Sequence, residues 1–155
     1  MADEQKTTVI IAVDGSEHSK SAIAYYVNRI HRPGNHVVLS HVIELPDVSH
    51  ARESHMSPAL LRELWEEEMG KSTEIEKKYQ EWMKGHGIAD VKIRLEGGLK
   101  AGQVICRVAD EEHACMIVTG TRGLGTIRRT ILGSVSDYLI HHSNCPVVVC
   151  RHSTD

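Results

Sequence analysis

Residues 114–134 read ACMIVTGTRGLGTIRRTILGS, and our interpretation of the fold starts from this stretch. Its first six residues are mostly apolar and rich in β-branched side chains, as expected of a buried strand. After Ser134 the apolar residues take a helical spacing. Glycines therefore stand where a strand ends and where a helix begins. Such a junction predicts a nucleotide-phosphate site, because the free N–H groups at a helix start bind phosphate oxygens.

The glycines of this stretch are spaced as Gly120-x2-Gly123-x9-Gly133-Ser134. This order fits neither a Walker A loop nor the dinucleotide fingerprint G-x-G-x-x-G, which follows the first strand of its domain. Two ordinary turn glycines flanking a surface loop would give the same pattern. Three arginines between the glycine clusters can add positive charge to a phosphate site, namely Arg122, Arg128 and Arg129.

Composition bounds the class of protein. The 155 residues are about one domain long, so we expect a single domain over residues 1–155 with a core at about 7–151. Apolar residues make up 41%, charged residues 25% and the formal net charge is −3, which gives no electrostatic case for nucleic acid or membrane as a partner. The polar, acidic first residues resemble no signal peptide or anchor, which indicates a cytoplasmic location.

The chain begins with a βαβ unit. Thr7–Val13 is an almost continuous β-branched run, typical of a central strand covered on both faces. It ends at Asp14-Gly15-Ser16, after which a helical period predicts a helix with Ser16 as its N-cap. Residues 36–43 then read as a second strand.

The remaining elements continue this alternation. Ser57 and Pro58 predict the start of a long helix that ends near residues 85–87. Val91 to Leu95 alternates with charged residues, as expected of a strand near a sheet edge. The predicted fold is a three-layer α/β/α, Rossmann-like domain with a five-stranded parallel sheet, whose last elements are a helix at 101–109, a strand at 115–119, a helix after 134 and a strand at 146–150.

The four cysteines form no C-x-x-C motif, so reduced thiols are the default expectation. His141, His142 and Cys145 raise the alternative of a metal site. A cluster at a helix end without a matching pair elsewhere is more often solvated, and we predict no metal held by the protein alone.

Two motifs resemble the universal stress protein family. The opening Ala12-Val13-Asp14-Gly15-Ser16 is similar to the family's first strand end, and Gly120 to Ser134 matches the pattern G-x2-G-x9-G-[S/T] of its ATP-binding members. The resemblance spans almost the whole chain. It implies an adenine nucleotide alpha hydrolase-like fold and ATP as the ligand, with Mg²⁺ or Mn²⁺ as a possible companion and Asp14 as the nearest candidate carboxylate.

The resemblance also implies site residues. Asp14 and the backbone around Ala12, Val13 and Val42 would face the base and ribose. Gly120 and Gly123, with Arg122 between them, would face the ribose and first phosphates. The outer phosphates would lie on the residues that start the last helix, which are Gly133, Ser134, Val135 and Ser136.

Structural interpretations of the same residues stay open. Asp14 can form an Asx-type turn or a helix cap, and Ser134 can be an N-cap paired with Asp137. Two positions depart from the family pattern: Cys115 stands where Asp is common, and Thr119 where Met is common. Nothing in the motif supplies an obvious general base, so no catalytic residue is predicted.

Three functions follow from these observations. The first is an ATP-binding regulatory protein of stress responses, as the resemblance implies. The second is a slow ATPase or adenylate-transferring enzyme on the same site, and the third is a nucleotide-free dimeric interaction module. The apolar strand Val147–Val149 lies at the end of the chain, and as an open sheet edge it predicts a homodimer.

Overall fold

The structure is a computed structural model, and it describes residues 6–44, 57–121 and 133–151. Strands and helices alternate along these residues, and a π-helical turn, Tyr26–Ile30, extends the first helix. The strands are β1 Thr7–Val13, β2 Asn35–Glu44, β3 Val91–Gly98, β4 Met116–Gly120 and β5 Val147–Cys150. The helices are α1 Glu17–Tyr25, α2 Pro58–Gly85, α3 Ala101–Glu111 and α4 Ser134–His142.

The five strands form one parallel sheet in the order β3-β2-β1-β4-β5. The β-branched strand β1 pairs with β2 on one side and with β4 on the other, which confirms its predicted central position. The chain moves outward from β1 in one direction first and returns to add β4 and β5 on the other side. Strand order therefore reverses between β1 and β4, where sheets of this type bind ligands.

Helices cover both faces of the sheet, so the predicted three-layer α/β/α fold is confirmed. On one face, residues such as Ile11 and Leu39 pack against Tyr26 of the π-helical turn and Met83 of α2. On the other face, Ile10, Val38 and Ile117 pack against Val108 of α3 and Leu139 of α4. Among the described residues, no helix has the length and apolar character needed to cross a membrane.

Several element boundaries match the predictions from the sequence. The Ser16 side chain caps α1 and the Ser57 side chain caps α2, with Pro58 as the first helical residue. The strand predicted at 115–119 begins one residue later, at Met116. The capping interpretation of Ser134 is wrong, because α4 begins at Ser134 itself and its N-cap is Gly133.

Candidate functional site

A crevice of about 220 Å³ opens at the carboxyl ends of the strands, where strand order reverses. The ends of β1, β2 and β4 meet there with the N-terminal turns of α1, α3 and α4. Its walls combine apolar side chains with glycines, serines and two carboxylates. The lining residues are Ala12, Val13, Asp14, Ser16, His18, Ser19, Val42, Glu44, Ala101, Ile105, Thr119, Gly120, Gly133, Ser134, Val135 and Ser136.

On the β1 side of the crevice, the polar groups of Asp14, Ser16 and Ser19 form hydrogen bonds with one another. The Asp14 carboxylate accepts hydrogen bonds at Oδ1 from the Ser16 backbone N–H at 2.9 Å, the Ser19 hydroxyl at 2.6 Å and the Ser16 hydroxyl. The Ser19 hydroxyl oxygen also accepts from the Asp14 N–H at 2.8 Å, and the Ser16 hydroxyl oxygen from the Ser19 N–H at 3.3 Å. Asp14 therefore has the Asx-type turn contact that the structural interpretation predicted, whereas the cap of α1 is Ser16.

Gly15 ties this turn to α2. Its φ of +83° lies in the left-handed region, which favours glycine because an L side chain is strained there. The Gly15 N–H donates to the Tyr79 hydroxyl oxygen at 3.1 Å. Burial raises the pKa of Tyr79, so the hydroxyl remains protonated at neutral pH.

Gly120 ends β4 and packs against the backbone of α1. A Cβ atom at this position would lie 2.6 Å from the His18 carbonyl oxygen, closer than a real side chain can approach. The absence of a side chain at Gly120 thus allows β4 and the first turn of α1 to meet. This packing role is one that the glycine motif did not reveal.

The N-terminus of α4 differs from that of α1, because no side chain of the described residues caps it. Gly133 is the N-cap in extended conformation (φ −63°, ψ 156°), and its carbonyl accepts the first helical bond from Asp137 N–H at 2.9 Å. The Ser136 hydroxyl donates back to the same carbonyl at 3.1 Å. Helix geometry leaves the N–H groups of Ser134, Val135 and Ser136 without acceptors inside the helix. All three residues line the crevice.

The crevice also contains residues that sequence reasoning did not select as site residues. His18 and Ser19 enter from α1, Glu44 from the end of β2, and Ala101 and Ile105 from α3. Helical spacing from Ser16 could have indicated His18 and Ser19, because they belong to the first turn of the helix that follows the Asp14 turn. The α3 residues could not have been found this way, because only the sheet order brings α3 to this end.

His41 lies in the interior next to the β1 side of the site. It pairs in register with Val13, is buried, and its Nδ1 has no hydrogen-bond partner among the described residues. Burial lowers the pKa of His41, and the negative charge of Asp14 acts in the opposite direction. The imidazole is therefore held mainly in its neutral form.

The structure brings most of the predicted site residues together. Arg122 and Gly123 lie outside the described residues, so their placement stays a prediction. The other predicted positions all line the crevice: Ala12, Val13, Asp14, Val42, Gly120, Gly133, Ser134, Val135 and Ser136. The sequence also contains Gly70-Lys71-Ser72, but Trp65 stands where a Walker A loop has its first glycine, and the tripeptide lies inside α2.

The chain belongs to the universal stress protein family, whose model matches residues 6–151. A putative universal stress protein of Staphylococcus haemolyticus is 29% identical over 143 residues, which cover 92% of this chain and 83% of the relative. A putative universal stress protein of Staphylococcus aureus strain USA300 is also 29% identical over 143 residues, with coverage of 92% and 82%.

Solved structures share the fold. The universal stress protein UspA of Lactobacillus plantarum superposes with a TM-score of 0.76 at 23% identity, covering 94% of this chain and 97% of its own. A universal stress protein in complex with cAMP has a TM-score of 0.64 at 22% identity, with coverage of 93% and 95%. The universal stress protein of Archaeoglobus fulgidus in complex with dAMP has a TM-score of 0.64 at 18% identity, with coverage of 93% and 97%.

Proposed function

We propose that this protein binds ATP in the crevice between β1 and β4 and acts as a nucleotide-dependent regulatory protein in stress responses. The observation that carries the proposal is the N-terminus of α4, where no side chain of the described residues forms a cap and where the first N–H groups and the partial positive charge suit phosphate oxygens. The adenine nucleotides named in two solved relatives support the ligand class.

The rest of the crevice fits the other parts of a nucleotide. Val42 and Ile105 provide apolar surface for a base, and Ala12 leaves room beside it because its side chain is small. The carboxylates of Asp14 and Glu44 are oxygen donors of the type that Mg²⁺ or Mn²⁺ prefers. A divalent cation accompanying the triphosphate would have Asp14 as its nearest candidate ligand, and the metal would neutralise part of the phosphate charge.

The first experiment identifies the nucleotide retained by purified protein, by mass after denaturation. In the second, ATP with Mg²⁺ is titrated while the melting temperature is followed, because a ligand bound only by the native state stabilises it by RT ln(1 + [L]/Kd). We expect a dissociation constant between low micromolar and millimolar. The absence of any shift at saturating ATP with Mg²⁺ would contradict the proposal.

Gly133→Val tests the phosphate end of the site. The backbone at Gly133 is extended, with negative φ, so valine is compatible with the conformation while its branched side chain occupies the helix start. We expect binding to be lost and the fold to be kept. The matched control is Gly70→Val in α2, where nothing lies within 4 Å of an added Cβ, and this variant should bind ATP normally.

Slow hydrolysis is the second candidate function, favoured by the presence of His18 and Glu44 in the crevice. Either side chain can accept a proton from water if a triphosphate is bound nearby. Single-turnover release of inorganic phosphate separates binding from turnover. If the protein hydrolyses ATP, the rate of phosphate release should fall in His18→Gln while the ATP affinity stays unchanged. If the wild-type protein releases phosphate no faster than buffer, the protein binds ATP without hydrolysing it.

A homodimer through β5 is part of the proposal. β5 is an edge of the sheet, and its three valines are half-buried. The opposite edge, β3, carries Lys92, Arg94 and Glu96 in ion pairs, which discourages strand addition there. An added strand from a second copy would therefore pair with the β5 edge.

The hydrogen-bond pattern of β5 shows which residue to change. The carbonyls of Pro146 and Cys150 accept from the N–H groups of Ile117 in β4 and of Thr121 just after it, so by strand alternation the Val149 N–H points outward. Val149→Pro removes that donor, while Val149→Thr keeps both the donor and the branched shape. We expect sedimentation to give a dimer for the wild type and Val149→Thr and a monomer for Val149→Pro. A wild-type mass near the 17.3 kDa of one chain would contradict the dimer.

A further inference from the structure

Two half-buried cysteines lie on the same side of the sheet, away from the crevice. Cys106 is in α3, and Cys145 follows the end of α4. Both pack against the core cluster that contains Ile117 and Leu139. The nucleotide proposal uses neither of them.

Contacts on both sides of Cys106 direct it toward Cys145. Gly102, one helical turn before Cys106, packs so closely on the Tyr138 ring of α4 that an added Cβ would lie 2.6 Å from it. One turn after Cys106, the Asp110 carboxylate accepts hydrogen bonds from the Asn144 amide at 3.1 and 3.2 Å. Residues four apart share one helix face, so Cys106 lies on the face of α3 that contacts α4 and the turn after α4. Cys145 is in that turn, next to Asn144.

Cys145 is held in place by its own turn. Its backbone N–H donates to the Ser143 hydroxyl oxygen at 3.2 Å, and that hydroxyl donates to the Cys145 carbonyl at 2.9 Å. The sulfur lies 3.4 Å from the same hydroxyl. The Asn144 contact with Asp110 joins this turn to α3. The two thiols are therefore fixed on elements that already contact each other.

We propose that Cys106 and Cys145 form a reversible dithiol site that a small-molecule disulfide oxidises to an intramolecular disulfide. The site would join α3 to the turn that leads into β5. It is independent of the nucleotide proposal, because neither cysteine lines the crevice. Among the described residues no group of three or more His, Cys, Asp or Glu side chains could hold a metal ion.

The reaction balances in two exchange steps. The Cys145 thiolate attacks the small disulfide, forms a mixed disulfide and releases one thiolate. The Cys106 thiolate then attacks the Cys145 sulfur and releases the second thiolate. The protons of the two cysteines end on the two released thiols, so the protein loses two electrons and the small disulfide gains them. Burial, and then the Asp110 and Cys145 charges, raise the pKa of Cys106.

The test incubates folded, reduced protein in glutathione and glutathione disulfide mixtures of increasing oxidising ratio. Free thiols are then alkylated, and a non-reducing digest is analysed by mass spectrometry. We expect a peptide linking Cys106 to Cys145, a loss of two hydrogens per chain, and a melting temperature several degrees higher in the oxidised protein. A wild-type protein that stays reduced at the most oxidising ratio would overturn the proposal.

Serine variants locate the bond. Cys145→Ser should remove the linked peptide, and Cys106→Ser should leave glutathione attached to Cys145. Cys115→Ser and Cys150→Ser are the controls and should retain the Cys106–Cys145 link; Cys150 is buried in the core on the opposite face of the sheet. Circular dichroism checks that each variant is folded, with alanine replacing serine where it is not. A Cys115–Cys145 peptide, or links between chains only, would refute the assignment.

Discussion

Among the helix N-termini that face the crevice, those of α1 and α4 differ in the side chains that satisfy their N–H groups. At α1, the N-cap Ser16 accepts from the Ser19 N–H of the first turn, and Asp14 accepts from the N–H of Ser16 itself. At α4, the N-cap is Gly133, and no side chain of the described residues takes the place of a cap. Since both helices supply the same backbone groups, the difference lies in the side chains alone. In our proposal, the capping side chains give the N-terminus of α1 a structural role. The N–H groups at the start of α4 are the ones that bind an anion.

The sharpest way to break this contrast is Gly133→Asp, which gives α4 a cap like that of α1. The carboxylate would accept from the free N–H groups and repel phosphate, so we expect ATP affinity to fall about 100-fold or more. The same change should stabilise the protein by about 0.5 kcal/mol, because aspartate caps helices somewhat better than glycine. Isothermal titration calorimetry and thermal unfolding measure the two effects.

Gly133→Asn is the matched control for charge. It caps the helix equally well but carries no charge, so its loss of affinity should be smaller than that of the aspartate variant. Equal ATP affinity in wild type and Gly133→Asp would contradict the assignment of phosphate to α4.

Gly120 differs from Gly133, because its missing side chain allows two elements of the fold to pack together. Gly120→Ala should lower the free energy of unfolding by about 1–3 kcal/mol, because its Cβ meets the His18 carbonyl and the backbone must shift. The loss should be present without nucleotide. Denaturant unfolding measures it, with Gly85→Ala as the control in open space. A Gly120→Ala protein as stable as the wild type would show that β4 and α1 can separate at no cost.

A pair of serine variants gives a smaller, two-sided test. Ser16→Ala removes the cap of α1 and should cost about 1 kcal/mol of stability, with little change in ATP affinity. Ser134→Ala removes no cap, so its stability should stay near wild type while ATP affinity falls a few-fold. Thermal unfolding measures the stability of both variants, and calorimetry measures their ATP affinity. A loss of stability in Ser134→Ala together with a loss of ATP affinity in Ser16→Ala would contradict the roles assigned to the two helices.

The sequence predicted which residues line the crevice better than it predicted the role of each residue. Strand and helix order follow from β-branched runs and helical periods, and β1 was expected at the centre because Thr7–Val13 has almost no polar face. Asp14 and Ser134 each had two interpretations in the sequence. Only three-dimensional contacts separate them, because the acceptors of Ser16 and Ser19 and the N-cap of α4 depend on exact backbone positions.

Glycine roles were also hidden for a physical reason. Gly120 and Gly133 belong to one motif but have different roles. Gly120 lacks a side chain where the backbone of α1 packs against β4, whereas Gly133 is the N-cap at the start of α4. A motif records that a side chain is absent without recording what occupies the space. Helical spacing could place His18 in the first turn of α1, but its contact with Gly120 depends on the pairing of β1 with β4.

The smallest expected effect concerns His41, which is buried in β2 beside Val13, at the end of β1 that leads into α1. Burial lowers the pKa of His41 in the folded protein below the ordinary value of about 6.5, so near and below that pH the unfolded chain binds a proton that the folded chain does not. This contribution to stability is therefore present above about pH 6.5 and is lost as the pH falls toward the lowered folded value.

His41→Leu removes the titrating group and the buried nitrogen that has no partner among the described residues. We expect the variant to lose less stability than the wild type between pH 7.5 and 5.5, by a few tenths of a kcal/mol to about 1 kcal/mol. Urea unfolding at both pH values measures the difference. Parallel stability curves for the wild type and His41→Leu would mean that the Asp14 charge offsets the burial of His41.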